Sequence, residues 1–238
     1  MSNIALIIAG GSGSRMHQNI PKQFLSVNER PVIVYTLEAF EKHPEIDAIS
    51  VVCIDGWEQV LMAYAKQFGI TKLKYVIPGG ENGQESIRNG VFELEKHFEP
   101  EDLILIHDAI RPMVSAEIIS DNIRVATELG NAITVIPCAE AMLQTKDGLV
   151  SSDTYPRDNL KRTQTPQTFH LKEICDLHRM ALEKGITNSI ASCTLMIELG
   201  KQVYFSTGSE KNIKLTTVED IDIFKSLLIA KRSDWLKD

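Results

Sequence analysis

The sequence predicts a doubly wound α/β fold built on a mostly parallel sheet. Apolar stretches of strand length alternate with segments of helical periodicity from residue 4 to about residue 142. The strands are apolar at consecutive positions, which is typical of a parallel sheet covered by helices on both faces. A chain of 238 residues can bury a sizeable core, and we expect one domain over 1–238.

Each predicted element follows from its own residues. A turn at Asn28 and Glu29 precedes the first helix, which begins at Pro31. Gly69 ends the second helix. Thr217 is an N-cap for the last helix, with Asp220 at the capping-box position. The patterns predict strands at 4–9, 47–54, 72–77, 102–108 and 202–206, with a further apolar stretch from 131, and helices at 31–43, 57–69, 83–98, 116–130, 171–184, 190–199 and 218–232.

The alternation stops after residue 142. The segment from about 139 to 165 contains short stretches of β-forming residues and an Asp147–Gly148 turn of the hairpin type. This composition predicts a protruding β-hairpin arm. Because a hairpin that leaves its sheet exposes unpaired backbone edges, pairing with a second copy of the chain would satisfy them. We therefore expect a homodimer formed through the arm.

Composition excludes several classes of function. Apolar runs stay well below the roughly 18 residues of a membrane helix, and a signal peptide pattern is absent, so we expect a soluble, cytoplasmic protein. The net charge of −7 argues against a nucleic acid partner. The four cysteines lie far apart in apolar contexts, which makes zinc and disulfides unexpected; they are Cys53, Cys138, Cys175 and Cys193.

The first predicted strand leads into a glycine-dense loop, Gly10, Gly11 and Gly13, followed by Arg15 and Lys22. Glycines can take positive φ and bring backbone N–H groups against an anion, and two cations beside them indicate a polyphosphate. The loop matches neither the Walker motif nor the dinucleotide fingerprint, in which a glycine would stand in place of Met16. A nicotinamide-dependent oxidoreductase is thus disfavoured, while a plain glycine turn without a ligand stays open.

Five motifs together resemble one family. The first four each follow a predicted strand at its carboxyl end, where open α/β sheets bind ligands. The motifs are AGGSGSRM with PKQF (9–24), PGGENGQESI (78–87), HDAIRP (107–112), NIKLT (212–216) and TQTPQTF (163–169). In this combination the chain resembles the polyol-phosphate cytidylyltransferases, which act on 2-C-methyl-D-erythritol 4-phosphate or ribitol 5-phosphate. The resemblance covers nearly the whole length.

The resemblance implies a Rossmann-like fold of the nucleotide-diphospho-sugar transferase type. It also implies transfer of a cytidylyl group from CTP to a polyol phosphate, with release of pyrophosphate and a need for Mg²⁺. Such a reaction needs positioning and cations at the phosphoryl oxygens and no nucleophilic side chain. The product would be a CDP-polyol for surface polymers such as teichoic acid or capsule, or an isoprenoid precursor.

Carried over by position, residues of the motifs and of the arm, and Thr187, acquire expected roles. His107 is expected to be a packed or hydrogen-bonded histidine, because an ionised acceptor phosphate needs no base. The resemblance assigns catalysis to Arg15, Lys22 and Lys214, nucleotide binding to Ala9, Gly10, Gly11, Gly80, Ser86 and Asp108, metal binding to Asp108 with the CTP phosphates, and acceptor binding to Arg111, Arg157 and Thr187. Turn or solvent-exposed roles for Asp108, Lys214 and Arg157 remain the simpler alternatives from the sequence.

The chain departs from the family pattern mainly on the acceptor side. Gly83 replaces a frequent arginine, Glu140 and Ala141 replace an Asp-Thr pair on the arm, and Asn188 replaces an aspartate. Since sites built to bond a hydroxyl discriminate strongly when partners are missing, ribitol 5-phosphate is favoured over 2-C-methyl-D-erythritol 4-phosphate. A catalytically weak CTP-binding regulatory protein is a further alternative.

Overall fold

The computed structural model describes residues 1–11 and 20–232, with side chains as far as residue 230. In chain order, the elements are β1 (Asn3–Ala9), β2 (Ser26–Val27), β3 (Arg30–Pro31), α1 (Val32–Glu41), β4 (Ala48–Cys53), α2 (Glu58–Gln67), β5 (Leu73–Pro78), α3 (Gly83–Leu94), β6 (Leu103–Asp108), α4 (Ala116–Leu129), β7 (Asn131–Pro137), β8 (Met142–Gln144), β9 (Asp153–Tyr155), β10 (Lys161–His170), α5 (Leu171–Glu183), α6 (Ser192–Glu198), β11 (Phe205–Thr207) and α7 (Val218–Arg232).

A seven-stranded sheet organises the chain, in the order β11-β7-β10-β6-β1-β4-β5. β10 runs antiparallel to both of its neighbours, and the other pairings in the sheet are parallel. The predicted α/β fold with a mostly parallel sheet is therefore confirmed. The predicted helices and strands agree with the structure to within a few residues at most ends, and the strand predicted at 202–206 is the short β11.

The position of β10 was not predicted. The predicted arm extends to about residue 165, whereas Lys161–His170 is a strand inside the sheet, and the small hairpin outside it consists of β8 and β9. β10 is polar and contains Pro166, features that argue against a central strand. The register shifts between Thr163 and Gln167, and this irregularity accommodates the proline. Its buried polar side chains all have partners: Thr168 donates to Asn122 of α4, Gln164 donates to the Ser209 carbonyl oxygen, and Gln167 accepts the Cys193 N–H.

Alternate side chains of the strands enter two cores, one on each face of the sheet. From β1, Ala5 and Ile7 pack with α1, α2 and α4, while Ile4 and Leu6 pack with α3, α5 and α6. Gly90 brings α3 close to the sheet, because a Cβ there would lie 2.8 Å from a Leu6 methyl carbon and 2.9 Å from one of Val52. The middle of α3 is thereby packed closely against β1 and β4.

The turns confirm three local predictions. Asn28 and Glu29 both have positive φ, at 50° and 62°, and connect β2 to β3. Gly148 has φ of 76° in the loop of the arm. Asp220 Oδ2 accepts hydrogen bonds from the amides of Thr216 and Thr217 at the start of α7. Within the described residues, no helix is both long and apolar enough to cross a membrane.

Candidate active site

A cleft of about 470 Å³ lies at the edge of the sheet where β1, β4, β5 and β6 end. Parallel strands bring their carboxyl ends to one edge, where successive loops can share a ligand. Every residue predicted to bind nucleotide lines this cleft, together with two of the three predicted catalytic lysines and arginines; they are Ala9, Gly10, Gly11, Gly80, Ser86, Asp108, Lys22 and Lys214. Arg15, like Gly13 and Met16, lies outside the described residues.

The glycines at this edge permit close approach between loops of the protein. A Cβ on Gly10 would lie 3.1 Å from Ser86 Oγ, and one on Gly79 would lie 3.2 Å from the Cys53 carbonyl oxygen. Neither Gly10 nor Gly11 has φ in the left-handed region, so the absence of a Cβ is the property of glycine that matters at these two positions. Gly80 donates its N–H to Ser86 Oγ at 3.0 Å, which joins the second glycine loop to α3.

Gln23 anchors the start of the glycine-dense loop that follows β1, and this role was not predicted from the sequence. Its side chain is 2% exposed, and Nε2 donates to the carbonyl oxygens of Ala9 at 2.7 Å and Gly11 at 3.1 Å. The neighbouring Phe24 stacks on Trp57 with ring centroids 4.7 Å apart. Lys22 is therefore held beside the cleft by an anchored segment on its carboxyl side. The adjacency of Gln23 to Lys22 in the PKQF motif was the available signal.

The helix α3 begins at the cleft. Asn82 is its N-cap, and its side chain accepts the Glu85 N–H at 2.9 Å. Gly83, the first helical residue, lines the cleft and has no atom within 4 Å of the position of a Cβ. The amino end of a helix carries partial positive charge and free N–H groups, so this geometry favours an anionic ligand beside Gly83.

Asp108 is bound to two cations. Its carboxylate accepts from Arg111 Nε at 3.0 Å, and Lys214 Nζ lies 3.2 Å from both of its oxygens. Burial would raise the pKa of Asp108, but the charges of Lys214 and Arg111 outweigh it and hold the pKa below its ordinary value. Arg111 also donates to the Asn212 carbonyl oxygen at 2.9 Å, which fixes the loop that carries Lys214. The HDAIRP and NIKLT motifs thus form one charged unit.

His107 orients this unit through hydrogen bonds on both of its ring nitrogens. It is thus a hydrogen-bonded histidine, in agreement with the prediction. It is fully buried, and burial lowers its pKa to about 4, so the ring is neutral at pH 7. Because a carbonyl oxygen can only accept, Nε2 donates to the Arg111 carbonyl at 3.2 Å. Nδ1 then accepts from Thr165 Oγ1 at 3.0 Å, and this oxygen accepts the Asp108 N–H at 3.1 Å.

A second cleft of about 250 Å³ adjoins the first. Gly83, Asp108 and Lys214 line both clefts. Arg111, which was predicted to bind the acceptor, lines the second one, together with Ile190 and Ser192. Three further lining residues were not assigned from the sequence, although they belong to or adjoin the TQTP stretch that carried the resemblance; they are Thr163, Gln164 and Thr165.

Two predicted acceptor residues lie apart from both clefts. Arg157 is on the arm, where its guanidinium donates to the Ala139 carbonyl oxygen at 2.7 Å and its side chain is 57% exposed. Thr187 is exposed in the segment between α5 and α6. The structure of one chain therefore gives neither residue a contact with the site, and their predicted roles remain untested.

The candidate metal ligand is a single carboxylate. No group of three or more His, Cys, Asp or Glu side chains within the described ranges is arranged to hold a metal ion. All four cysteines are buried and unpaired, as predicted. Asp108 is therefore the acidic side chain that both clefts share, and any metal bound there would need further ligands from a substrate.

Comparison with known proteins decides the family. The profile of the family described as IspD, 2-C-methyl-D-erythritol 4-phosphate cytidylyltransferase, matches residues 3–229. The chain belongs to this family. It is 42% identical over 229 residues to ribitol-5-phosphate cytidylyltransferase of Lacticaseibacillus paracasei, which covers 95% of this chain and 98% of that protein. It is 43% identical over 227 residues to the protein of that name from Vibrio parahaemolyticus, covering 95% of each chain.

The chain also matches relatives named for 2-C-methyl-D-erythritol 4-phosphate. The 2-C-methyl-D-erythritol 4-phosphate cytidylyltransferase of Clostridium botulinum is 36% identical over 228 residues, covering 95% of this chain and 97% of that one. Among solved structures of the IspD family, 4-diphosphocytidyl-2C-methyl-D-erythritol synthase from Anaerococcus prevotii superimposes with a TM-score of 0.82 at 25% identity, covering 96% of each chain. The family resemblance inferred from the five motifs is therefore confirmed.

Proposed function

We propose that this protein transfers a cytidylyl group from CTP to a polyol phosphate, with D-ribitol 5-phosphate as the preferred acceptor, and releases pyrophosphate. The observation that carries the proposal is the meeting of two clefts at Asp108 and Lys214. Two substrates that occupy adjoining clefts have their reacting phosphates at the shared wall. Membership of a cytidylyltransferase family supports this assignment.

CTP would occupy the larger cleft, with its triphosphate between Gly10, Gly11 and the start of α3. Lys22 and Arg15 would neutralise the triphosphate, and Lys214 would reach the α-phosphate. An oxygen of the acceptor phosphate forms a bond to the α-phosphorus while the bond to the pyrophosphate oxygen breaks. The negative charge that gathers on the α-phosphoryl oxygens in the transition state is stabilised by these cations.

Asp108 fits a magnesium ion in the form that nucleotide sites use, one carboxylate with the remaining ligands from phosphates and water. The carboxylate is ionised, since the charges of Lys214 and Arg111 lower its pKa. Arg111 would keep it oriented while Lys214 turns from Asp108 to the phosphate. Mg²⁺ would supply charge neutralisation and alignment of the triphosphate.

The acceptor would occupy the second cleft, with its phosphate toward Lys214 and its hydroxyls toward Thr163 and Gln164. We further propose that the arm forms a homodimer and places Arg157 at the acceptor phosphate of the partner subunit's site. The exposure of large apolar side chains on the arm supports this, including Leu143 at 64% and Leu149 at 87%. Thr187, exposed on the segment before α6, is proposed as a further contact of the acceptor.

Ribitol 5-phosphate is favoured over 2-C-methyl-D-erythritol 4-phosphate by two observations. The compared relatives named for ribitol 5-phosphate are 37% to 43% identical to this chain, and those named for methylerythritol phosphate are 34% to 36% identical. Gly83 leaves open space on the wall that both clefts share. Methylerythritol phosphate remains the second candidate because the family profile carries its name.

The test is to follow pyrophosphate release from CTP and Mg²⁺ with each of a panel of polyol phosphates. We expect the highest kcat/KM with ribitol 5-phosphate, and a loss of turnover by orders of magnitude in Lys22→Ala. Cys175→Ala is the matched control, because Cys175 is buried between α5 and α3 and lines neither cleft. Binding of CTP without pyrophosphate release from any acceptor would instead indicate a regulatory CTP-binding protein.

A further inference from the structure

Gln84 follows Gly83 at the start of α3 but turns away from the nucleotide cleft. Its side chain is buried, at 4% exposure, and points toward the segment 186–191 between α5 and α6. Gly83 and Ser86, on either side of it in the same helical turn, line the nucleotide cleft. The first turn of α3 is therefore in contact with two separate parts of the protein.

The amide of Gln84 makes two short hydrogen bonds to that segment. Nε2 donates to the Ile186 carbonyl oxygen at 2.6 Å, and Oε1 accepts the Ser189 N–H at 2.6 Å. Since a carbonyl can only accept and an N–H can only donate, the orientation of the amide is determined. The two bonds bracket Thr187 and Asn188, residues of a segment that has no helix or strand of its own.

The end of the segment 186–191 forms part of the wall of the second cleft. Ile190, which is 96% exposed, and Ser192 line that cleft together with Arg111. Ser189 is only 8% exposed and also bonds to Thr194 at the start of α6, at 2.8 Å between the two hydroxyl oxygens. A displacement of the first turn of α3 would thus move this wall through Gln84.

From this geometry we propose that Gln84 is a positioning residue that couples the two substrate sites. A nucleotide seated against Gly80, Gly83 and Ser86 fixes the first turn of α3, and Gln84 transmits that order to residues 186–191. The protein with nucleotide bound therefore holds the acceptor more tightly than the free protein does. By linkage, the acceptor tightens nucleotide binding by the same factor. The inference rests on the proposed function, because it takes the second cleft as the acceptor site.

The experiment measures the affinity of ribitol 5-phosphate by calorimetry, with and without a non-hydrolysable α,β-methylene analogue of CTP and Mg²⁺. In the wild-type protein we expect the analogue to tighten acceptor binding by about fivefold or more. In Gln84→Met, which fills the same volume without donor or acceptor, the factor should fall close to one. The affinity of the analogue alone should change less than about twofold, so the substitution acts on the coupling and not on the nucleotide site itself.

Two further variants keep the result interpretable. Gln84→Glu retains the bond from Ser189 but sets a carboxylate against the Ile186 carbonyl oxygen, so it should lose coupling as well. Gln59→Met is the matched control, because Gln59 is exposed on α2, and it should keep wild-type coupling. If Gln84→Met lowers the unfolding temperature too far for titration, Gln84→Glu carries the comparison at a lower temperature.

Failure of this inference differs from failure of the proposed function. Normal pyrophosphate release in the wild type, with equal coupling factors in wild type, Gln84→Met and Gln84→Glu, would overturn the role of Gln84 alone. Analogue binding without pyrophosphate release from any polyol phosphate would remove the proposed function, and this inference with it.

Discussion

The ammonium nitrogen of Lys214 lies 3.2 Å from both carboxylate oxygens of Asp108, although 106 positions separate the two residues in the chain. The pair stands where the two clefts join. In the proposed reaction Lys214 leaves this carboxylate for the α-phosphate, and the carboxylate turns to Mg²⁺. The ion pair thus keeps both side chains oriented toward the junction of the clefts in the protein without substrates.

The first prediction concerns this pair. Lys214→Met should lower kcat for pyrophosphate release by about 100-fold to 1,000-fold, because one cation at the developing charge is lost. The same substitution removes a charge that lowers the pKa of Asp108, so that pKa should rise. Steady-state kinetics over a range of Mg²⁺ concentrations provide the measurement. Lys211→Met, on the same loop but exposed and outside both clefts, is the control; similar kcat values in the two variants would remove Lys214 from catalysis.

The second prediction concerns the hydrogen bonds of Gln23 to the glycine-dense loop that follows β1. Gln23→Leu leaves two carbonyl oxygens, those of Ala9 and Gly11, without their side-chain donor. We expect KM for CTP to rise about tenfold, in line with the loss of a buried hydrogen-bond partner, with less effect on the acceptor. Gln67→Leu, at an exposed position on α2, is the control. An unchanged KM for CTP in Gln23→Leu would mean that the loop keeps its conformation without these hydrogen bonds.

The third prediction places Arg157 across the proposed dimer. Arg157→Ala and Lys214→Met should each be nearly inactive alone. In a mixed dimer the Arg157→Ala chain keeps its own Lys214 and receives Arg157 of the partner subunit, so one complete site forms. Random mixing after dissociation should therefore recover about a quarter of wild-type activity. Recovery no greater than the sum of the parents would show that Arg157 does not act on the partner's site, and a monomer by light scattering would remove the dimer itself.

The fourth prediction is that the free energy of unfolding depends on pH because of the buried ring of His178. Its ring is 1% exposed, neither nitrogen has a hydrogen-bond partner among the described residues, and burial, with the charge of Arg88, lowers its pKa to about 4. The native ring is neutral, whereas the unfolded ring takes a proton as the pH falls below 6.5. This group therefore removes stability as the pH falls from 6.5 to 4, by about 3 kcal/mol in total.

His178→Leu should flatten that dependence. Urea unfolding at several pH values between 7 and 4.5 measures it, and the difference at pH 7 isolates any change in packing. At pH 7 the variant should be at least as stable as the wild type, since an apolar group replaces unpaired buried nitrogens. His107 also has a pKa lowered to about 4, so part of the slope should remain. Identical slopes in variant and wild type would exclude His178 as a source.

The fifth prediction is a stabilising substitution in the turn between β2 and β3. Glu29 has φ of 62°, a conformation that costs energy for a residue with a Cβ. Glu29→Gly should therefore raise the free energy of unfolding by about 1 kcal/mol, because glycine is preferred in a turn with two left-handed residues. Glu29→Ala keeps the Cβ and should not stabilise the protein. Equal unfolding temperatures for the two variants would place the stabilisation in the lost charge.

Local patterns in the chain were sufficient for most of the fold. Consecutive apolar residues and helical spacing depend on short stretches, so strands, helices, the Asn28–Glu29 turn and the Asp220 cap of α7 could all be predicted. The nucleotide wall was predictable for the same reason, because each of its motifs follows a strand and parallel strands end at one edge. Gly79 and Gly80 belong to one of these motifs, and the close contacts at both positions are to the protein itself.

Contacts between distant residues decided the rest. β10 can lie in the middle of the sheet because Asn122 of α4 accepts from Thr168 and donates to the Pro166 carbonyl oxygen at 3.2 Å. Such partners leave no periodic signal in β10 itself, whose polar residues therefore resembled an arm. Gln23 and Gln84 bind backbone groups, which are the same at every position and so cannot be recognised from side-chain patterns. Sequence motifs thus identify the nucleotide site, and tertiary hydrogen bonds determine how it is joined to the second cleft.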